Sequence, residues 1–338
     1  MTEVRIGVIG LGRIGAFHAN TLAGLDRVRE LLITDADADV AAAVAARLAD
    51  RITVKALPDA ADVLTSGVDG VVVAAPTPTH VELLEAALRG GLPVFCEKPV
   101  AADPAAAGHL VTLAEDTGVP VQIGFPRRFD PAFRKAKADL DAWVLGRLTT
   151  VRSTTLDPAP PPHAYLANSG GIFRDCAIHD LDTVRWVTGR EVVEVYAAGS
   201  AGSDPFFAEI GDVDTASVLL TFDDGTIGVV SNTRSNGRGY DVRLELHGSL
   251  DSVAAGLDGA LPLRSTEPGA TFPDRPPHRF FMDRFAAAFR AELAAFLDVV
   301  AGGRSPCPLA DGLEASWLAE ACALSLAEHR PVARAEVG

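Results

Sequence analysis

The sequence predicts an α/β chain in two parts. The first, residues 1–124, is an N-terminal doubly wound parallel sheet; the second, 125–338, is an α+β part with a large open, mostly antiparallel sheet. Three observations lead there. Short β-branched runs alternate with helical stretches as far as residue 124. Beyond it, most strands follow one another with no helix between them. A glycine cluster also sits between the first strand and the first helix.

Residues 4–9 are short, apolar and β-branched, which suits a buried parallel strand. A helical stretch at 16–25 leads to a second strand at 30–34, an Ala-rich helix at 40–48 and a short strand at 52–54. The fourth strand is expected at 70–75, then a helix at 80–88 and a fifth strand at 93–96. A helix at 104–116 and a sixth strand at 120–124 complete the series of right-handed β-α-β units. After a helix at 131–141, strands are expected at 148–156, 192–198, 216–222, 226–232 and 241–248. Asp223-Asp224-Gly225 is a hairpin turn signal. Val218, Leu220 and Phe222 alternate with Leu219 and Thr221, so this sheet has two unlike faces. One face is expected to carry a helix at 175–187, the other to meet a second subunit. Pro158 to Pro162 reads as a rigid loop, and helices at 283–300 and 311–328 close the chain.

The glycine cluster is Gly10-Leu11-Gly12-Arg13-Ile14-Gly15. Between a strand and a helix, this G-x-G-x-x-G is the dinucleotide fingerprint of a Rossmann sheet. Gly10 permits the turn, Gly12 lets backbone approach a pyrophosphate, and Gly15 lets helix and strand close up. The helix N-terminus offers N–H groups to the phosphates. Asp35 ends the second strand twenty residues past Gly15, where a carboxylate accepts from the adenosine ribose hydroxyls. It would repel a 2′-phosphate, and Ala36-Asp37 supplies no cation to hold one. The expected cofactor is NAD rather than NADP.

A formal charge of −15 argues against nucleic acid or an anionic membrane as partner. No apolar run reaches the length of a membrane span, and the Met-Thr-Glu start lacks signal-peptide features. Cys96, Cys176, Cys307 and Cys322 show no C-x-x-C spacing, which fits free thiols in a cytoplasm. The histidines show no H-x-x-x-H pair, and no metal is expected.

Three further segments carry chemistry. Ala74 to His80 follows the fourth strand, on the edge where doubly wound sheets bind ligands, although Thr79 also fits a plain helix cap. Cys96-Glu97-Lys98-Pro99 follows the fifth strand; Lys98 would bring a cation to the same edge, or simply be solvated. In Gly170-Gly171 to Asp182, a regular helix places Asp175, His179 and Asp182 at i, i+4 and i+7 on one face. Ala177, Leu181 and Val184 form an apolar face. A carboxylate one turn from an imidazole suits proton transfer, and equally an ordinary surface ion pair. A metal site there lacks further ligands.

Together these segments resemble the glucose-fructose oxidoreductase/inositol dehydrogenase/rhizopine catabolism (Gfo/Idh/MocA) family, nearest its inositol 2-dehydrogenases. The resemblance spans nearly the whole chain. It takes in Gly10 to Gly15 with His18, Asp35, Pro76-Thr77-Pro78-Thr79-His80 and Glu97-Lys98-Pro99. Gly124-Phe125-Pro126-Arg127-Arg128-Phe129-Asp130-Pro131, Gly170-Gly171 to His179-Asp180, and Tyr240-Asp241 continue it. Pro126 departs from it, at a position where a larger apolar residue such as Met is expected.

The resemblance implies NAD-dependent oxidation of a ring hydroxyl of a cyclitol, with myo-inositol giving 2-keto-myo-inositol, by Lys98, Asp175 and His179. The related alternatives are a sugar or keto-sugar oxidoreductase of secondary metabolism and, in another class, a non-catalytic NAD-sensing regulator. Cofactor contacts are implied at Gly10, Gly12, Arg13, Ile14, Gly15, Asp35, Ala75, Pro76, Thr77, His80, Glu97, Lys98 and Arg127. Substrate contacts are implied at Lys98, Arg127, Asp157, Asp175, His179 and Tyr240. The family also implies a homotetramer acting on a small polyol or sugar in the cytoplasm.

Overall fold

The computed structural model describes residues 3–338, which divide into two compact units. The first runs to Pro126 and takes in Ala287–Leu313; the second comprises Arg127–Ala286 and Glu314–Gly338. Where the sequence reading has a single cut after residue 124, the chain passes between the units three times. The cause is the helix Ala286–Val300. Its Leu293, Phe296, Leu297 and Val299 join the core that holds Val4, Ile6 and Phe95. Burying that apolar stripe ties the segment to the first unit.

The first unit contains β1 (Val4–Ile9), β2 (Val28–Thr34), β3 (Thr53–Ala56), β4 (Gly70–Val73), β5 (Val94–Glu97) and β6 (Val121–Gly124). Its helices are α1 (Arg13–Leu22), α2 (Ala38–Leu48), α3 (Ala60–Thr65), α4 (His80–Arg89) and α5 (Pro104–Thr117). The strands are all parallel, in the order β3-β2-β1-β4-β5-β6. The order reverses between β1 and β4, so ligands belong at the carboxyl ends of those strands. Val71, Val72, Val73 and Phe95 are wholly buried, as strands covered on both faces require. Helix α3 has no counterpart in the sequence expectation, because six residues show no usable periodicity.

The second unit holds β7 (Leu148–Leu156), β8 (Val192–Ser200), β9 (Thr215–Phe222), β10 (Ile227–Thr233), β11 (Asp241–Gly248), β12 (Ser252–Ala255) and β13 (Val332–Ala333). The order is β12-β11-β7-β10-β9-β8-β13. Only β7 and β10 run parallel; every other neighbouring pair is antiparallel, as expected. Ala216, Val218, Leu220 and Phe222 are buried on one face, with the helix Ile178–Thr188 against β7 and β10.

The opposite face is only half apolar. One cross-strand row reads Tyr196, Leu219, Val229, Arg152, Glu245. Tyr196 and Leu219 are exposed, and the charged end lies on β7 and β11.

The expected helix at 175–187 also differs. A π-helical turn, Phe173–Ala177, precedes the α-helix Ile178–Thr188. The wider turn rotates everything after it relative to a regular helix, so Asp175 and Asp182 do not share a face. Asp182 is instead buried, its Oδ1 2.5 Å from Arg128 Nη2. Among the described residues no helix is long and apolar enough to cross a membrane.

Candidate active site

Each unit holds a cluster of its own. In the first, the glycine loop has the dimensions a dinucleotide needs. Gly10 has φ 88°, and a Cβ there would stand 2.5 Å from the Ala75 backbone nitrogen. A Cβ on Gly15 would meet the Gly10 carbonyl oxygen at 1.9 Å. At Gly12 a Cβ would find nothing within 4 Å. Two glycines therefore serve close packing, and the middle one keeps open space in front of the loop.

Helices α2, α3 and α5 begin on Asp37, Asp59 and Asp103, whose carboxylates accept from first-turn N–H groups. Helix α1 begins on Gly12 with no side-chain cap. That is the arrangement a pyrophosphate fits. Arg13 is exposed and Ile14 half-buried in the same turn.

Asp35 faces this loop. Leu11 N–H donates to its Oδ2 at 2.6 Å, and Asp37 N–H to its Oδ1 at 3.0 Å. Each carboxylate oxygen keeps a second acceptor direction for a ribose hydroxyl.

Ala75 and Thr77 are half-buried and Pro76 is exposed in the loop after β4. His80, expected to touch the cofactor, is buried instead. Its Nδ1 lies 2.9 Å from the Pro99 carbonyl oxygen and its Nε2 2.9 Å from that of Ala75. It staples the loops after β4 and β5 from behind. Glu97 Oε1 lies 2.5 Å from Nε2 of His18, which is wholly buried on α1. Lys98, half-buried at the end of β5, follows directly.

The second cluster gathers Asp157, Asp175, Asp180, Arg127, Tyr240 and a residue outside the sequence motifs, Arg234. Arg234 is 1% exposed; its Nη2 donates to Asp175 Oδ2 at 2.9 Å, and its Nη1 lies 3.7 Å from Asp157 Oδ2. Tyr165 Oη donates to the other Asp175 oxygen at 2.8 Å. His179 is half-buried, four residues on from Asp175.

Arg127, expected to touch both ligands, lies beneath this group. Its Nη1 donates to Asp180 Oδ1 and its Nη2 to Thr155 Oγ1, both at 2.7 Å, and it is 2% exposed. Ser153, Thr155 and Asn232 also donate to Asp180.

Burial pushes the Tyr240 phenol far above its usual range, against the pull of Arg127. Burial likewise raises the Cys176 thiol. Both keep their protons near neutrality, so neither is a base or thiolate here.

Comparison with known proteins finds a family match in each unit. "Oxidoreductase family, NAD-binding Rossmann fold" matches residues 4–125, and "GFO/IDH/MocA C-terminal domain" matches 133–254. A myo-inositol dehydrogenase of Streptomyces leeuwenhoekii is 41% identical, over 95% of each chain. The chain belongs to the GFO/IDH/MocA family of oxidoreductases. Two solved structures of this family extend the likeness. A putative myo-inositol dehydrogenase of Sinorhizobium meliloti has a TM-score of 0.89 and 35% identity, over 98% of this chain and 99% of that one. A scyllo-inositol dehydrogenase of Lactobacillus casei, with bound NAD(H) and scyllo-inositol, has a TM-score of 0.88 and 29% identity, over 99% of this chain and 100% of that one. As a GFO/IDH/MocA oxidoreductase with the NAD-binding fold, the protein takes NAD as its cofactor.

Proposed function

We propose that this oxidoreductase oxidises a ring hydroxyl of a cyclitol, converting myo-inositol to 2-keto-myo-inositol. The relatives named above act on such rings. One observation carries the chemistry: Asp175 sits between the Tyr165 hydroxyl and the Arg234 guanidinium, in the helical turn preceding His179. His179 takes the hydroxyl proton. Asp175, held as an anion, stabilises the positive charge the imidazole gains. NAD, when bound, supplies the hydride acceptor. Lys98 anchors a substrate hydroxyl and the nicotinamide ribose.

The cluster also favours an uncharged substrate. Two guanidiniums, Arg127 and Arg234, face three carboxylates, Asp157, Asp175 and Asp180. The carboxylates of that group outnumber its guanidiniums, which suits hydroxyl donors better than a phosphate or a sugar acid. Asp157 and Tyr240 are assigned to substrate hydroxyls. A spectrophotometric screen of cyclitols and aldoses with NAD tests the reading. Myo-inositol should give the highest kcat/KM; turnover confined to aldoses would transfer the assignment to a sugar oxidoreductase.

Cofactor choice gives a second expectation. Wild type should prefer NAD, and Asp35→Ser combined with Ala36→Arg should move the preference toward NADP, read as the ratio of kcat/KM values. The ribose carboxylate is followed by Ala36 and Asp37, neither of them a cation for a 2′-phosphate. Equal use of both cofactors by wild type would remove Asp35 from this role.

We also propose a homotetramer. Tyr196, Leu219 and Ile227 stand exposed on the outer sheet face, and an apolar strip of that kind suits burial against the same face of a second copy. Light scattering at micromolar concentration should return four chains, and a monomer would end the proposal. Four buried free thiols suit the reducing cytoplasm, where we place the enzyme.

A further inference from the structure

We propose that Arg234 is a positioning residue for this reaction, a buried guanidinium hydrogen-bonded to Asp175 and ion-paired with Asp157. Tyr165 completes the clamp on Asp175. The proposal rests on the reading that Asp175 and His179 carry the proton transfer.

Strand register puts the parts together. β7 and β10 are the parallel pair, and their last partners are Leu156 and Thr233. The next residues, Asp157 and Arg234, therefore emerge side by side. Asp157 N–H donates to the Thr233 carbonyl at 2.8 Å, and Arg234 N–H to that of Asp214 at 2.8 Å. The backbone beneath both side chains is thus fixed.

The guanidinium then divides its fork. Nη2 reaches Asp175 at 2.9 Å, while Nη1 lies 3.7 Å from Asp157. Because the fork is planar and rigid, it sets the spacing of two carboxylates that come from different elements. A lysine could supply the charge and not the spacing.

Asp175 lies on the π-helical turn, where the backbone gives it no regular helical register. Its side chain is oriented from outside instead, by Arg234 on Oδ2 and the Tyr165 hydroxyl on Oδ1. With a donor on each oxygen the carboxylate stays ionised and does not rotate. Other charged or titratable groups around this cluster include His179, Asp157, Cys176, Asp180, Arg127 and Tyr240. Of the two guanidiniums in this cluster, Arg127 pairs with Asp180 and Arg234 with Asp175.

The test compares Arg234→Lys, Arg234→Gln and Tyr165→Phe with wild type on the best cyclitol substrate. Arg234→Lys should lose about 10²-fold in kcat, since it keeps the charge but loses the geometry. Its acid limb in the pH profile should stay in place. Arg234→Gln should lose at least as much, and its acid limb should move to higher pH because the cation beside Asp175 is gone. Tyr165→Phe, at an exposed residue, should lose about tenfold through one charge-assisted hydrogen bond. NAD affinity, measured by fluorescence titration, should stay within about twofold in all three.

Wild-type kcat and an unmoved acid limb in the folded variants would overturn the proposal. If Arg234→Gln fails to fold by circular dichroism, Arg234→Lys and Tyr165→Phe decide it on kcat at unchanged NAD affinity, and wild-type kcat in both would overturn it. A wild type inactive on every cyclitol and aldose would overturn the functional reading and this proposal with it. An active wild type with indifferent variants would overturn this proposal alone.

Discussion

Replacing His179 with alanine is expected to lower kcat by about 10²–10⁴-fold, the range that general base catalysis commands. A neutral alcohol gives up hydride slowly unless its hydroxyl proton is removed as the hydride leaves. The imidazole supplies that acceptor. NAD affinity should stay near wild type, because the glycine loop and Asp35 lie in the first unit and His179 in the second.

Oxidation by wild type should rise with pH as the imidazole loses its proton, and that limb should vanish in the variant. Asp175→Asn should be similarly damaging if the carboxylate stabilises the imidazolium, and mild if it serves only the local fold. Undiminished turnover by His179→Ala would return Asp175 and His179 to the status of an ion pair with no part in the chemistry.

The cofactor cradle was largely legible because its parts are local. Strand, glycines and helix follow one another within 22 residues, and the bounds of β1 coincide with the expectation. Asp35 was readable from spacing alone. The helix Ala286–Val300 was also visible as a helix, yet an amphipathic stripe does not say which sheet it will cover.

In the second unit the pattern was less informative. The i, i+4 spacing singled out Asp175 and His179, but a regular helical wheel also drew in Asp182, which the π turn sends to Arg128. Arg234 escaped notice because its position depends on a parallel pairing between strands about seventy residues apart in sequence. One signal did exist. Asp157 and Arg234 are charged residues that each follow the end of a strand directly, and the pairing of β7 with β10 makes them neighbours.

His80 and Arg127 mark a different limit. The family motif names both as ligand contacts and says nothing of their depth, and both are buried. His80 holds two loops by their carbonyls, and Arg127 supports the floor through Asp180. Residues that support a site and residues that touch its ligand look alike in a sequence, since either kind can sit within the same short motif.

Asp180→Ala is expected to destabilise the second unit by about 3–5 kcal/mol, the cost of breaking a buried ion pair from one side. Asp180 is wholly buried and accepts from Arg127, Ser153, Thr155 and Asn232. Burial works against the charge on Arg127, and its surroundings, Asp180 foremost among them, together outweigh it. Removing that carboxylate strands a guanidinium in the interior and leaves three neutral donors without their acceptor.

Asp180→Asn keeps one oxygen for the neutral donors but loses the countercharge, so its loss should be smaller. Asp141→Ala, which removes only an exposed partner of Lys137, should change little. Urea unfolding followed by tryptophan fluorescence separates these outcomes. Trp143, Trp186 and Trp317 all lie in the second unit, so the signal reports that unit's transition. A midpoint for Asp180→Ala equal to that of Asp141→Ala would mean that Arg127 does not depend on Asp180. In that case Arg127 would become available to a ligand, as the sequence first suggested.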